Sequence, residues 1–314
     1  ENRVGDHLLV RTSLNANQNL QNPVVVQSLI GAKGLPFYLR CLQSLLDHCR
    51  EEISLLIHQD GTLNEKHRQD IQGQLSDKAY FTDPNRSLEK TMDGLRGRPH
   101  CQSIRRESFW GQEFFDPLFA NPNDSISFYL DADILFLRPF CGLFSPSSVN
   151  NGALFLRDTQ WDAYCLRPWQ FLGFGDRPSI VQGITTAVVC WDKEMIDWEY
   201  LEWFLGRKDL HNIPEWVLPT AQAGLASRCQ ARVVSPIQLP NLYPNAKISE
   251  KTFGVHLLGS YREHWLPIIT GMEEEIEPLE QPMQVLLEPC RPRGPLSYGK
   301  NQVTRWINTR LDRW

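Results

Sequence analysis

The sequence has no apolar run approaching the ~20 residues that span a bilayer, and residues Glu1–Asn22 are polar rather than signal-like. It therefore reads as a soluble chain, with cytosol the preferred compartment and a membrane at most touched from one side. Asn85-Arg-Ser87 and Asn123-Asp-Ser125 are formal glycosylation triplets, which leaves a secretory lumen open. A basic excess is also lacking: 32 Lys and Arg against 37 Asp and Glu give a net charge of −5, which argues against a nucleic-acid partner. None of the 8 cysteines forms a C-x-x-C pair, so neither a zinc site nor a thioredoxin-like motif is supported, and thiols such as Cys190 read as buried and free. Gly31-Ala-Lys-Gly34 matches neither G-x-G-x-x-G nor the P-loop, which removes the usual dinucleotide and NTPase signatures. No internal repeat is visible.

What is present is an α/β pattern. Pro23–Ile30 reads as a buried strand, Leu35–Cys49 as a helix with Pro36 in its first turn, Ile53–Ile57 as a second strand and Leu63–Leu75 as a second helix. Strand alternating with helix predicts a doubly wound, Rossmann-like sheet, mixed but mostly parallel and flanked by helices, in a single large domain. Ligands of such sheets bind at the carboxyl ends of the strands. Asp60, after the second strand, is therefore a candidate ligand contact, with a turn acid before Gly61 as its plainer explanation.

The run Phe128-Tyr-Leu-Asp-Ala-Asp-Ile-Leu-Phe-Leu-Arg-Pro139 breaks its apolar character at two acids. In one continuous strand Asp131 and Asp133 project to the same side, where like charges repel. A divalent cation relieves that repulsion, because hard cations take carboxylate oxygens together with substrate phosphates. A solvated acidic pair belongs in a polar turn rather than in such a run.

An Asp-x-Asp after an apolar strand resembles the signature of GT-A glycosyltransferases. The late stretch His256, Gly259, Arg262, Trp265 resembles the His-x-x-Gly-x-x-Lys-Pro-Trp of family 8, the group of glycogenin and bacterial galactosyltransferases, with Arg for Lys, Trp one residue late and no Pro. The resemblance implies a metal held by Asp131, Asp133 and His256, Mn²⁺ with Mg²⁺ as competitor, and Arg262 taking up leaving-group charge. It further implies Gly259 near the donor phosphates, a UDP-sugar as favoured donor, and retention of anomeric configuration. Asp131 and Asp60 would then contact the donor. Of the basic cluster Arg96, Arg98, His100, Arg105 and Arg106, the same resemblance offers Arg105 or Arg106 as a donor contact, against a solvated helix face for the rest. Gln182 and Gly183, opening the strand that runs to Trp191, resemble the acceptor-contacting strand, with Gln where Asn is usual. Leu218-Pro-Thr-Ala-Gln222 resembles a signature in which an acid precedes a catalytic glutamine; Gln222 fits the glutamine, and Ala221 replaces the acid. A plain helix start accounts for the same residues.

These readings divide the chain into a polar lead (1–22), a glycosyltransferase domain (23–270, nucleotide half to about 140) and a Pro-rich segment with a terminal amphipathic helix (271–314). In that helix Val303, Trp306, Ile307, Leu311 and Trp314 share one face, read as docking on the core or lying on an anionic membrane. The acceptor is left open between glycan, lipid and protein. Two rivals stand beside the transferase: a haloacid-dehalogenase-like phosphohydrolase, although Leu135 stands where its Thr belongs, and a catalytically inactive sugar- or nucleotide-binding module, with which Ala221 is consistent.

Overall fold

The computed structural model describes residues 23–310 apart from 122, 161, 173–178, 274–275 and 277–278. The polar lead and the last four residues, with Leu311 and Trp314 of the amphipathic face, lie outside the described residues.

The first half alternates as predicted: β1 (Val24–Ile30), α1 (Leu35–His48), β2 (Ile53–Gln59), α2 (Glu65–Leu75) and β3 (Ala79–Phe81). Three helices follow, α3 (Pro84–Gly94), α4 (Pro99–Glu107) and α5 (Phe109–Ala120), and lead into β4 (Ile126–Leu130), β5 (Ile134–Phe136) and β6 (Phe140–Cys141). Then come α6 (Pro146–Val149), β7 (Ala153–Arg157), β8 (Ile184–Asp192), α7 (Trp198–Gly206), α8 (Val217–Ala226), β9 (Arg232–Val234) and β10 (Gly254–His256). The chain ends with α9 (Arg262–Glu273), β11 (Met283–Gln284), β12 (Leu287–Pro289) and α10 (Pro295–Arg310).

Eight strands form one sheet in the order β12-β9-β7-β8-β4-β1-β2-β3. β3, β2, β1, β4, β7 and β9 run in one direction; β8 and β12 oppose their neighbours. The expected mixed, mostly parallel sheet is thus observed. Alternate residues of one strand enter different cores: Val26 and Ile30 pack with α1, whereas Leu29 packs with α5, α7 and α8. That two-sided burial explains why the strands read as continuous apolar runs.

One expectation needs correction. The acidic run is not a single strand. β4 stops at Leu130, Asp131-Ala-Asp133 forms a turn, and β5 resumes in a separate two-stranded sheet with β10. The antiparallel register sets His256 opposite Ile134, and the Leu257 amide donates to the Asp133 carbonyl at 3.0 Å. A third core of Leu135, Leu137, Val255, Leu257, Trp265 and Ile269 fastens this small sheet against α1 and α9. Stacked Phe136, Phe140 and Phe253, with centroids 4.8 Å apart for Phe140 on each neighbour, lock the turn from its other side.

The Pro-rich segment supplies β11, paired with β6, and β12, at the edge of the main sheet. α10 docks through Tyr298, fully buried with its hydroxyl on the Leu166 carbonyl at 2.6 Å, and through Arg305 over the Trp216 ring. The face carrying Val303, Trp306 and Ile307 is exposed, so docking uses other residues than the shared apolar face. No described helix is long and apolar enough to cross a membrane.

Candidate active site

The carboxyl ends of β1, β2, β4, β7 and β9 lie along one edge of the sheet, and the break after β4 puts its two acids there. Pairing of β5 with β10 then carries His256 to them. One ligand atom each from Asp131, Asp133 and His256 lies within 4.8 Å of the others.

Each of the three is held from outside the cluster. Tyr129 donates its hydroxyl to Asp131 Oδ1 at 2.9 Å, leaving Oδ2 as the second oxygen. Arg262 Nη2 donates to Asp133 Oδ2 at 3.0 Å. His256 Nδ1 is 2.7 Å from Asn241 Oδ1, which accepts its proton and fixes the tautomer with Nε2 as the free lone pair. That Nε2 lies 3.3 Å from Asp133 Oδ1, and Asp133 Oδ1 is buried without a hydrogen-bond partner. Its long contact with the imidazole leaves that buried oxygen poorly satisfied, which is costly. Together with an imidazole nitrogen and a second carboxylate it makes an O, O, N donor set suited to a divalent transition-metal ion, so the residues fit the metal they imply.

The electrostatics describe a site short of positive charge. Burial, then Asp133, pushes the Asp131 carboxyl up to about 7. Glu113 on α5, 7% exposed and hydrogen-bonded to Thr186, is raised well above the ordinary carboxyl range by its burial and then by Asp131. Burial would also raise Asp133, but His256 and Arg262 outweigh it and hold this acid low. His256 is the converse: burial pulls it down, and Asp133 more than reverses that.

The other predicted residues are placed as follows. Arg262 opens α9, with its guanidinium carbon 4.2 Å from the Phe37 ring centroid at the start of α1. Gly259 begins the short 3-10 turn before it, and a Cβ there would meet nothing within 4 Å. Asp60 is exposed at the end of β2; its Oδ1 accepts from the amide and hydroxyl of Thr62 at 2.9 and 2.6 Å, the geometry of a turn acid. Its carboxylate fills the space a side chain on Gly31 would need. Gln182 Oε1 accepts from Arg157 at 3.2 Å, and the Gly183 amide donates to Asp162 at 2.7 Å beside the end of β7.

Three further candidates lie on α4 and α8. Arg105 is buried in a two-pronged pair with Asp116, 2.5 and 2.7 Å, between α4 and α5, so its guanidinium is already committed and no donor contact is assigned to it. Arg106 is exposed on the same helix. Gln222 is 2% exposed; its Oε1 lacks a partner, and it lines a small internal cavity with Glu113, Tyr129 and Trp191. Glu113, Tyr129 and Asn241 were not read from the sequence. Glu113 alone left a trace there, as the one acid in the apolar stretch Phe109–Phe115.

No protein-family model and no curated protein sequence matches the chain. Among solved structures, the apo WbbM bifunctional glycosyltransferase superposes with a TM-score of 0.51 at 10% identity, over 82% of this chain and 52% of that one. The galactosyltransferase LgtC, in complex with donor and acceptor sugar analogs, gives a TM-score of 0.50 at 14% identity, over 82% of this chain and 98% of that one. The chain thus spans about half the WbbM chain. At such identities the likeness is one of fold, and the fold is that of GT-A glycosyltransferases.

Proposed function

We propose that the chain is a metal-dependent glycosyltransferase that moves a sugar from a nucleotide-diphosphate sugar to an acceptor hydroxyl. One observation carries this: in a GT-A fold, ligand atoms of Asp131, Asp133 and His256 converge at the strand ends. The fold lends no support to the phosphohydrolase reading.

In the transfer, the acceptor oxygen forms a bond to the anomeric carbon, and the bond from that carbon to the diphosphate oxygen breaks, its electron pair leaving with the nucleoside diphosphate. The hydroxyl proton passes to the departing diphosphate. Asp131, Asp133 and His256 would hold Mn²⁺, or Mg²⁺ in its place, which when bound supplies Lewis-acid stabilisation of phosphate oxygens. Arg262 sits next to that charge and offers a guanidinium fork to the diphosphate. Gly259 leaves open space over its backbone for phosphate approach, while Asp60, and Arg106 from the exposed face of α4, are carried as donor contacts.

Gln182 and Gly183 are assigned to the acceptor side, and Gln222 to the transfer step. A UDP-sugar donor, hexosyl transfer and retention of configuration are carried over from the family 8 resemblance. Residues 23–270 are taken as the transferase domain. The exposed Val303, Trp306 and Ile307 of α10 support a peripheral membrane contact. Liposome co-sedimentation with and without residues 300–314 tests that contact, and equal binding would sink it.

Thermal shift with UDP-, GDP- and CDP-sugars, each with and without Mn²⁺, tests the main reading. Mn²⁺-dependent stabilisation by one donor class, lost in Asp131→Asn and His256→Ala, is the expected result. Wild-type shifts in both variants would end it. The inactive-module reading draws on Ala221, which is fully buried where the resemblance asks for an acid; donor binding with neither hydrolysis nor transfer would favour it.

A further inference from the structure

A cleft of about 440 Å³ opens beside the metal cluster, between the loop after β7 and the long loop joining β9 to β10. Its volume is that of a small-molecule site. The walls are fixed. Asn241, buried at the bottom, accepts from His256 and donates to the Arg157 carbonyl at 3.3 Å. Gln160 donates to Asn245 at 3.1 Å, joining the two loops. Tyr243 is anchored through its hydroxyl to Asp158 at 2.8 Å.

The chemistry of the lining discriminates between ligands. Gln160 and Asn245 bring two carboxamides, each both donor and acceptor, as a sugar hydroxyl is, beside the committed amide of Asn241. Among the described residues no carboxylate lines the cleft, which removes the usual partner of a cation. Among the described residues Lys247 is the one charged group in the lining and no arginine is present, so the forked recognition of phosphate or carboxylate is missing there. Pro236 and Ile237, the latter 59% exposed, offer a small apolar surface that suits the C–H face of a pyranose and is too interrupted by amides for an acyl chain.

We propose that this cleft is the acceptor subsite and that it takes the uncharged saccharide end of a glycan rather than a lipid or an anionic sugar. The proposal rests on the glycosyltransferase reading and narrows its acceptor to one class. Asn241 links the two places: one carboxamide lines the cleft and orients the histidine of the metal cluster.

The test is saturation-transfer difference NMR on the full chain with three neutral disaccharides, lactose, maltose and cellobiose, beside glucuronic acid and a short-chain phospholipid. The expected result is signal from at least one disaccharide and none from the other two probes. Gln160→Ala should lower that affinity by about tenfold, near the value of one well-made hydrogen bond, and Ile237→Trp should block it. Melting temperature and the Mn²⁺-dependent donor shift should be unchanged in both variants. Silence from all three disaccharides, or signals that survive both substitutions, overturns the inference. A chain that ignores every nucleotide sugar yet keeps the Gln160-dependent saccharide signal would overturn the transferase reading while keeping a saccharide site.

Discussion

Asn241 takes the Nδ1 proton of His256 at 2.7 Å, and this one hydrogen bond decides which nitrogen of the ring is free to face Asp133. Asn241 is itself 4% exposed and pinned by its amide to the Arg157 carbonyl, so the ring has little freedom to turn. We predict that Asn241→Leu weakens Mn²⁺ binding by ~10–100-fold, the usual loss when the partner that orients a metal-bound histidine is removed. Calorimetric titration of Mn²⁺ reads this directly, with melting temperature as the control for folding. An unchanged affinity in a folded variant would show that the ring is set by packing alone.

The pH dependence of metal binding follows from Asp131, whose carboxyl is pushed up to about 7 by burial and Asp133. A protonated acid is a poor ligand, so binding must expel that proton. Affinity should therefore rise with pH, by at most about tenfold per unit for each proton displaced from Asp131 and from His256, whose own pKa Asp133 raises. Titrations at pH 6 in buffers of different ionisation enthalpy should show more than one proton released per metal, from Asp131 and from His256, whose pKa Asp133 raises, and markedly fewer at pH 8. Identical proton release at both values would rule out this role for Asp131.

His58 gives a stability prediction independent of the site. It is fully enclosed in β2, with Nε2 2.9 Å from Gln27 Oε1 and Nδ1 lacking a partner, and burial holds its pKa down to about 4 against 6.5 for the free residue. Between those values the unfolded chain binds the proton and the folded chain does not, so stability falls as pH falls from about 6.5 to about 4. One such group costs about 3 kcal/mol over that window. Urea unfolding at pH 7 and pH 5 in wild type and His58→Gln measures it, and the variant should lose much of the difference. Equal slopes would mean that other groups carry the acid sensitivity.

Much of this was legible in the residues, and what was not has identifiable reasons. Strands and helices declare themselves by period, so β1, α1, β2 and α2 fall within a few residues of expectation. The pairing of Asp131 with Asp133 was legible because two acids inside an apolar run need a cause, and His256 joined them through the family 8 resemblance. The turn at Asp131–Asp133 was not: both flanks are buried, and apolar residues on either side of a bend look like one strand. The antiparallel direction of β8 is likewise invisible locally, since it depends on which neighbours the strand finds. Asn241 follows Pro240 in a loop with no periodicity, and its importance arises only when β10 arrives beside it. Arg105 looked like one charge among several because its partner Asp116 lies on the next helix, where no short-range spacing rule reaches.

That pair supplies the last prediction. Asp116 is 1% exposed and accepts from Arg105 at 2.5 and 2.7 Å, from Ser87 Oγ at 2.9 Å and from Thr91 Oγ1 at 2.8 Å, joining α3, α4 and α5. Four donors on one buried carboxylate leave no lone pair for a ligand and make the acid the tie between three helices. Asp116→Ala strands the guanidinium and both hydroxyls inside the protein, and breaking a buried pair from one side costs ~3–5 kcal/mol. Arg106→Ala, on the exposed side of the same helix, should stay within about 0.5 kcal/mol of wild type. Denaturant unfolding separates the two. If Asp116→Ala proved as mild as Arg106→Ala, the helices would be held by their apolar faces alone and Arg105 would be available for other work.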